Sequence, residues 1–353
     1  MTEVVRVDAR DPAPDAIARA AEYLRDGRLV AFPTETVYGL GVHALDETAV
    51  RRVFDVKGRP PNDPLIVHVA SFDQVNALAS RIPSVARELT DRFWPGPLTI
   101  VLPRSDGVPS IVTAGLDTVA IRMPSHPVAR ALLAAARIPI AAPSANLFSR
   151  PSPTTAAHVL EDLDGRIDMV LDAGPTDVGV ESTVVDLSRN VAAILRPGVV
   201  DAETLRSVLP RVDVAGRESD GSQAMPSPGM LERHYSPQAA LTLYEGNTDV
   251  AIEQMTSDAR AAHRDGARVG VVTVREHGAR IRDRLGASVT QLEDVGATGS
   301  PIEIAARLYA ALRALDAARV DIILAHVPCE PVGLGVAVRD RLFRAAGGRV
   351  KRA

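Results

Sequence analysis

Cysteine occurs once in the 353 residues, at Cys329, which excludes an intramolecular disulfide and a multi-cysteine zinc site and suits a reducing compartment. Aromatic residues make up only 3% of the chain, with one tryptophan, too few for the stacking platform of a dedicated single-strand nucleic-acid binder. Positive charge is not in excess. The 40 Lys and Arg stand against 44 Asp and Glu, a formal charge of −4, so no global basic footprint exists. No apolar run reaches the length of a membrane span, and the opening MTEVVRVDAR has no apolar segment behind a basic start. The expectation is a soluble cytoplasmic protein with no membrane partner. Three motifs are also missing: the phosphate loop G-x-x-x-x-G-K-[ST], the metal motif H-E-x-x-H and the nucleophile turn G-x-S-x-G.

The length exceeds what one core usually covers, which predicts two domains. The stretch LVAFPTETVYGLGVHALDETAVRRVFDVKGRPPNDPLIVHV carries most of the information. It predicts a buried strand over Leu29–Phe32, then a polar-aromatic loop with two glycines. A helix over Asp46–Val56 with Asp46 as N-cap follows, then a cationic loop and a second strand over Leu65–Val69. Gly39-Leu-Gly41-Val-His-Ala44 formally fits a dinucleotide fingerprint, but it sits beyond the turn that would follow the strand, and Asp46 caps the next helix. Glycines permitting a tight backbone path are the simpler reading.

Lys57 and Arg59 flank a glycine, are held by prolines, and have no carboxylate next to them in sequence, so an anion is the natural partner. With Arg122 and Arg196 they lie at element ends, where an open α/β sheet puts its ligand site. Surface salt bridges are the competing reading of each. A triphosphate needs several such charges, with Arg supplying forked donors and Lys a point charge. Ser144 and Asn146 alternate after a buried strand, as Lys57 and Arg59 do, so each pair can address one ligand; a turn or N-cap is the alternative for Ser-Ala-Asn. Thr34 and Thr36 likewise point together, or pack at a strand end. His68, between Val67 and Val69, faces away from both, and a lone histidine in a strand is more often structural than a ligand. Glu181-Ser182-Thr183 before a strand is either a polar site element or a turn. The residues alone reach an α/β protein that binds a phosphorylated anion.

Residues 211–237 are rich in Ser, Gly and Pro without an apolar period and read as a linker or mobile loop. Its tail, PGMLERHYSP, holds a Met, a His and a Tyr that a spacer would not need. Beyond it a βαβ-like pattern predicts a small open parallel sheet flanked by helices. One of these starts at the Ser300-Pro301-Ile302-Glu303 capping box and carries Ile304, Leu308, Leu312 and Leu315 as its core stripe.

The motifs FPTETVYGLG, KGRPPNDPLIVHV, WPGPLT, TAGLDTVAIRMPSHP, IAAPSANLFSRPSPT, GVESTVVD and ILRPG, in this order over about residues 29–198, resemble the YrdC/Sua5 family. The second half resembles its C-terminal domain, as in the long two-domain Sua5 form. The resemblance implies a YrdC-like twisted mixed α/β sheet domain (1–210), a linker or lid (211–237), and a smaller Rossmann-like open-sheet domain (238–353). It implies an L-threonylcarbamoyladenylate synthase using L-threonine, bicarbonate and ATP with Mg²⁺, and no tightly bound organic cofactor. The product would pass to a tRNA threonylcarbamoyltransferase, with at most weak contact to tRNA itself. Carried over by position, Lys57, Arg59, Ser144 and Asn146 line the nucleotide and phosphate site, Lys57 and Arg59 as its catalytic cations. Asn62, Thr118, Ser152, Arg196 and Tyr235 join the nucleotide side, and Thr34, His68, Arg122 and Ser182 line the threonine pocket. Two alternatives remain at this point: a non-catalytic RNA-binding module of the same fold, and a carbamoyl-transfer domain like that of hydrogenase-maturation proteins. The latter carry zinc-finger cysteines that this chain lacks.

Overall fold

The computed structural model describes residues 1–214, 224–230 and 234–352, which divide into two compact units. The first comprises Met1–Phe148 and Ser152–Leu231, the second Ser149–Pro151 and Glu232–Ala353. Part of the linker read from the sequence lies outside the described residues.

The strands of the first unit are β1 (Glu3–Arg6), β2 (Val30–Pro33), β3 (Tyr38–His43), β4 (Ile66–His68), β5 (Leu98–Pro103), β6 (Thr118–Arg122), β7 (Ile140–Ala141), β8 (Met169–Asp172), β9 (Thr183–Asp186), β10 (Ala192–Arg196) and β11 (Val212–Val214). They form one mixed sheet in the order β1-β8-β2-β3-β7-β4-β6-β5-β9-β10-β11. Helices α1 (Pro14–Arg25), α2 (Glu47–Lys57), α3 (Val75–Leu78), α4 (Ser84–Phe93), α5 (Pro127–Ala136), α6 (Ala156–Leu163) and α7 (Ala202–Arg206) connect them. Side chains alternate across a strand, so the sheet builds two cores. On one face Ala31, Leu40, Val67, Ile100 and Ile121 pack with residues of α2, α4 and α6. On the other, Val30, Phe32 and Ile140 pack against α1 and α5. Further along, Ile66, Val101, Ala120 and Val184 pack against Met225 and Met230. The predicted linker therefore supplies two methionines, one of them in its tail, to the sheet of the first unit.

The largest difference from the sequence reading is β3. Its residues were expected in a loop, yet they pair antiparallel with β2, Phe32 opposite Gly39 and Val30 opposite Gly41. The glycines serve packing. A Cβ on Gly41 would lie 2.7 Å from the Phe32 ring, so only hydrogen fits beneath it. Helix α2 forms as the pattern predicts: Asp46 Oδ1 accepts from the Ala49 N–H at 3.1 Å, and Gly58, at φ +61°, ends it.

In the second unit β12 (Ala240–Glu245), β13 (Val269–Thr273), β14 (Gln291–Asp294), β15 (Ile322–His326) and β16 (Val350–Arg352) make an all-parallel sheet, order β14-β13-β15-β12-β16. It carries α8 (Thr248–Arg264), α9 (Arg275–Leu285), α10 (Pro301–Ala317) and α11 (Leu334–Ala346), the open α/β sheet the sequence predicts. Ser300 caps α10 by accepting from the Glu303 N–H, and Gly347, at φ +54°, ends α11. Among the described residues no helix is long and apolar enough to cross a membrane.

Candidate active site

Lys57 is the last residue of α2 and continues its buried face of Ala49, Val50, Val53 and Phe54. A lysine at the end of a core stripe points inward, and its ammonium donates to the backbone oxygens of Ser144 (2.6 Å) and Asn146 (2.5 Å). The K-x-R and S-x-N pairs thus meet, though not as alternation in extended chain implies. Lys57 is helical and Gly58 left-handed, while the chain after β7 bends so that the Ser144 and Asn146 carbonyls face the lysine.

Arg59 corrects a second expectation. Its guanidinium lies 3.0 Å from Asp63 Oδ2 and donates to the Asp63 and Pro64 carbonyls at 2.9 and 2.6 Å. Asp63 is fully buried. Burial pushes its pKa up, against the pull of Arg59, Lys57 and Arg196. The anion beside Arg59 is therefore the protein's own carboxylate, which the proline turn at Pro60-Pro61 folds back. Arg59, Lys57 and Arg196 thus converge on this one buried carboxylate.

Arg196, at the end of β10, donates to the Ser182 carbonyl (3.1 Å), Ser182 Oγ (3.1 Å) and the Pro228 carbonyl (3.0 Å). Gly198 allows this wrap, since a Cβ there would lie 2.4 Å from the Thr183 nitrogen. Ser182 Oγ hydrogen-bonds Thr99 Oγ1 at 2.8 Å, Thr99 is the register partner of Arg122, and Arg122 that of His68. Ser182, just before β9, and Thr99, Arg122 and His68 of β5, β6 and β4 so form a polar row. It lies on the face that carries Ile66 and Ala120.

Arg122 is the hub of this row. It is 4% exposed and donates to Glu35 Oε1 (2.7 Å), Thr36 Oγ1 (3.0 Å) and the Gly96 carbonyl (3.3 Å). Glu35 Oε2 accepts from the Ser125 N–H at 3.0 Å. Burial raises the Glu35 pKa, but the Arg122 guanidinium outweighs it and holds the carboxyl below the usual range. Thr34 and Thr36 do point together, with hydroxyls 2.8 Å apart, because Thr34 closes a turn onto the Val37 carbonyl. That turn also brings Glu35 in, which alternation would have sent the other way.

His68 is 3% exposed, its ring edge-on to Phe32, and Nδ1 has no hydrogen-bond partner. Burial and the Arg122 guanidinium push its pKa down to about 3, so the imidazole is neutral. The unfolded chain binds this proton near pH 6.5, so stability falls as pH drops below that value. In urea titrations, the wild type should lose about 1.5 kcal/mol more than His68→Asn between pH 6.5 and 5. Equal losses would mean that His68 is protonated in the folded protein.

Ser152 is fully buried and donates to Glu181 Oε1 at 2.5 Å. Asn62 accepts from the Met225 N–H through its backbone oxygen. Thr118 begins β6, about 13 Å along the strand from Arg122 on the same face. Tyr235 belongs to the second unit, where its ring packs on His234 and Tyr309 at 4.1 and 5.6 Å and lies under Arg341. Glu35, Asp63 and Thr99 are the polar neighbours that the sequence did not single out. Among the described residues no group of three or more His, Cys, Asp and Glu side chains could hold a metal ion.

Residues 22–198 match the family model Sua5_yciO_yrdC, described as telomere recombination. Residues 200–347 match Sua5_C, described as threonylcarbamoyl-AMP synthase, C-terminal domain. A threonylcarbamoyl-AMP synthase of Pyrococcus abyssi is 45% identical over 94% of this chain and 94% of its own. One of Bacillus subtilis is 44% identical over 95% and 94%. The crystal structure of P. abyssi Sua5 complexed with L-threonine superposes with a TM-score of 0.92 at 43% identity, covering 100% of both chains.

Proposed function

The chain belongs to the Sua5/YrdC family in its two-domain form, and from that premise we propose that it is an L-threonylcarbamoyladenylate synthase. One observation supports this reading above the others. A cluster of three cations, Lys57, Arg59 and Arg196, and a buried Arg122–Glu35 pair share one unit, linked through Ser182 between Arg196 and Thr99. The first suits a triphosphate and the second a small polar acid, so the two substrates meet where they must react.

The threonine amine condenses with bicarbonate to a carbamate, releasing water. A carbamate oxygen then attacks the α-phosphorus of MgATP, the bond to the β-phosphate oxygen breaks, and pyrophosphate leaves. Such displacements need alignment and charge neutralisation more than covalent help from the protein. Lys57, Arg59 and Arg196 offset charge on the phosphates, Arg122 holds the threonine carboxylate, and Ser144, Asn146, Ser152, Asn62 and Thr118 belong to the nucleotide side. The acyl adenylate is a reactive mixed anhydride, consumed by transfer to adenosine 37 of tRNA through a separate transferase.

The RNA-binding reading has the weaker support. Lys57, Arg59, Arg122 and Arg196 are all at most 7% exposed, so they cannot track a polynucleotide backbone. Pyrophosphate release by the purified protein with MgATP should require both L-threonine and bicarbonate. Release indifferent to threonine would mean another acceptor, and no release would defeat the synthase reading.

A further inference from the structure

We propose that Glu35 is the ammonium-binding residue of the amino-acid pocket, so that Glu35 and Arg122 together read the substrate as a zwitterion. The inference rests on the threonine reading of this pocket. It starts from a count of charge. Arg122 and Glu35 are 4% and 7% exposed and form an ion pair at 2.7 Å. His68 is neutral, and His126, near Glu35, is pushed down by burial as well. Arg122 and Glu35 therefore balance each other before substrate arrives. A monoanion would leave one uncompensated negative charge in a buried site, and a simple amine one positive charge. Each such imbalance is costly where little water screens it. A zwitterion leaves the sum at zero, and its two ends have only one favourable orientation.

The hydrogen-bond inventory agrees. A guanidinium has five N–H donors. In Arg122 the Nε donor goes to Gly96 and one from each terminal nitrogen to Thr36 and Glu35. One donor on each terminal nitrogen is left for a carboxylate, so Glu35 need not be displaced. The Glu35 carboxylate accepts from Arg122, from the Ser125 N–H and from its own backbone N–H, and of its roughly four lone-pair sites one is left for an ammonium. Held ionised by Arg122, Glu35 anchors the ammonium form, whose extra proton passes to solvent before the amine condenses with bicarbonate.

The test uses the full-length protein, with binding of L-threonine, 3-hydroxybutanoate (no amine) and 1-amino-2-propanol (no carboxylate) measured by calorimetry. For the wild type, threonine should bind at least about tenfold tighter than either analogue, since each forfeits a charge-assisted contact. Glu35→Gln keeps acceptor capacity and shape but removes the charge. It should weaken threonine about 10- to 100-fold and tighten 3-hydroxybutanoate, because the pocket then carries a net positive charge. Equal weakening of threonine and 3-hydroxybutanoate would reduce Glu35 to a prop for Arg122. Wild-type binding of 3-hydroxybutanoate as tight as that of threonine, a measurement that needs no variant to fold, would overturn the proposal outright. If the wild type binds threonine and none of these differences appears, the threonine reading stands and this one falls. If threonine does not bind at all, the functional reading itself has failed.

Discussion

Lys57→Ala should lower threonine- and bicarbonate-dependent pyrophosphate release by about 10²-fold or more, the loss typical when one preorganised electrostatic contact is removed. The ammonium is 2% exposed and anchored to two carbonyls, so it sits in place before substrate arrives and needs no reorganisation during reaction. Its removal also leaves the Ser144 and Asn146 carbonyls short of a donor, worth about 1–3 kcal/mol of stability for each that stays unsatisfied. Urea denaturation is therefore run beside the kinetics. Threonine binding without nucleotide should survive, because Arg122 is held in place by Glu35, Thr36 and the Gly96 carbonyl. Near-normal turnover at saturating substrate would make Lys57 a structural residue that merely closes the loop after β7.

Local rules made part of this legible. Asp46 and Gly58 bound α2, Ser300 and Gly347 mark α10 and α11, and the βαβ rhythm after residue 239 announces the parallel sheet. Each is a short-range signal, in which a cap or an apolar period is decided within a few residues. β3 escaped because its glycines read as loop until the Phe32 ring that excludes side chains there is known. Asp63 escaped for a related reason. It lies four residues after Arg59, a spacing that suggests a pair only in a helix, and here a proline turn makes it. Glu35 was hidden by its own neighbours. Two threonines read as one face of an extended chain, and the turn closed by Thr34 reverses that logic. Residue types at the site were thus readable, while their partners depended on backbone folds that no spacing rule encodes.

Arg122 and Glu35 make the sharpest energetic case, because each is tolerated in the interior only by virtue of the other. Arg122→Met should destabilise the protein by about 3–5 kcal/mol, since it strands a buried carboxylate. The 5% and 9% side-chain exposures leave little solvent to soften that cost. Glu35→Gln should cost less, as the amide oxygen still accepts from Arg122 and the Ser125 N–H. In the double variant Arg122→Met/Glu35→Gln no charge is left behind, so its cost should fall below the sum of the singles by about 1–3 kcal/mol. Urea unfolding of the four proteins measures this coupling directly. Additive costs would mean that solvent reaches the pair and that the pocket is not the closed, charge-balanced compartment described above. Threonine binding supplies the complementary readout. The double variant should be the most stable of the altered proteins that lack Arg122, yet bind threonine no better than Arg122→Met does, because stability needs only the balance of charge, whereas recognition needs the charges themselves.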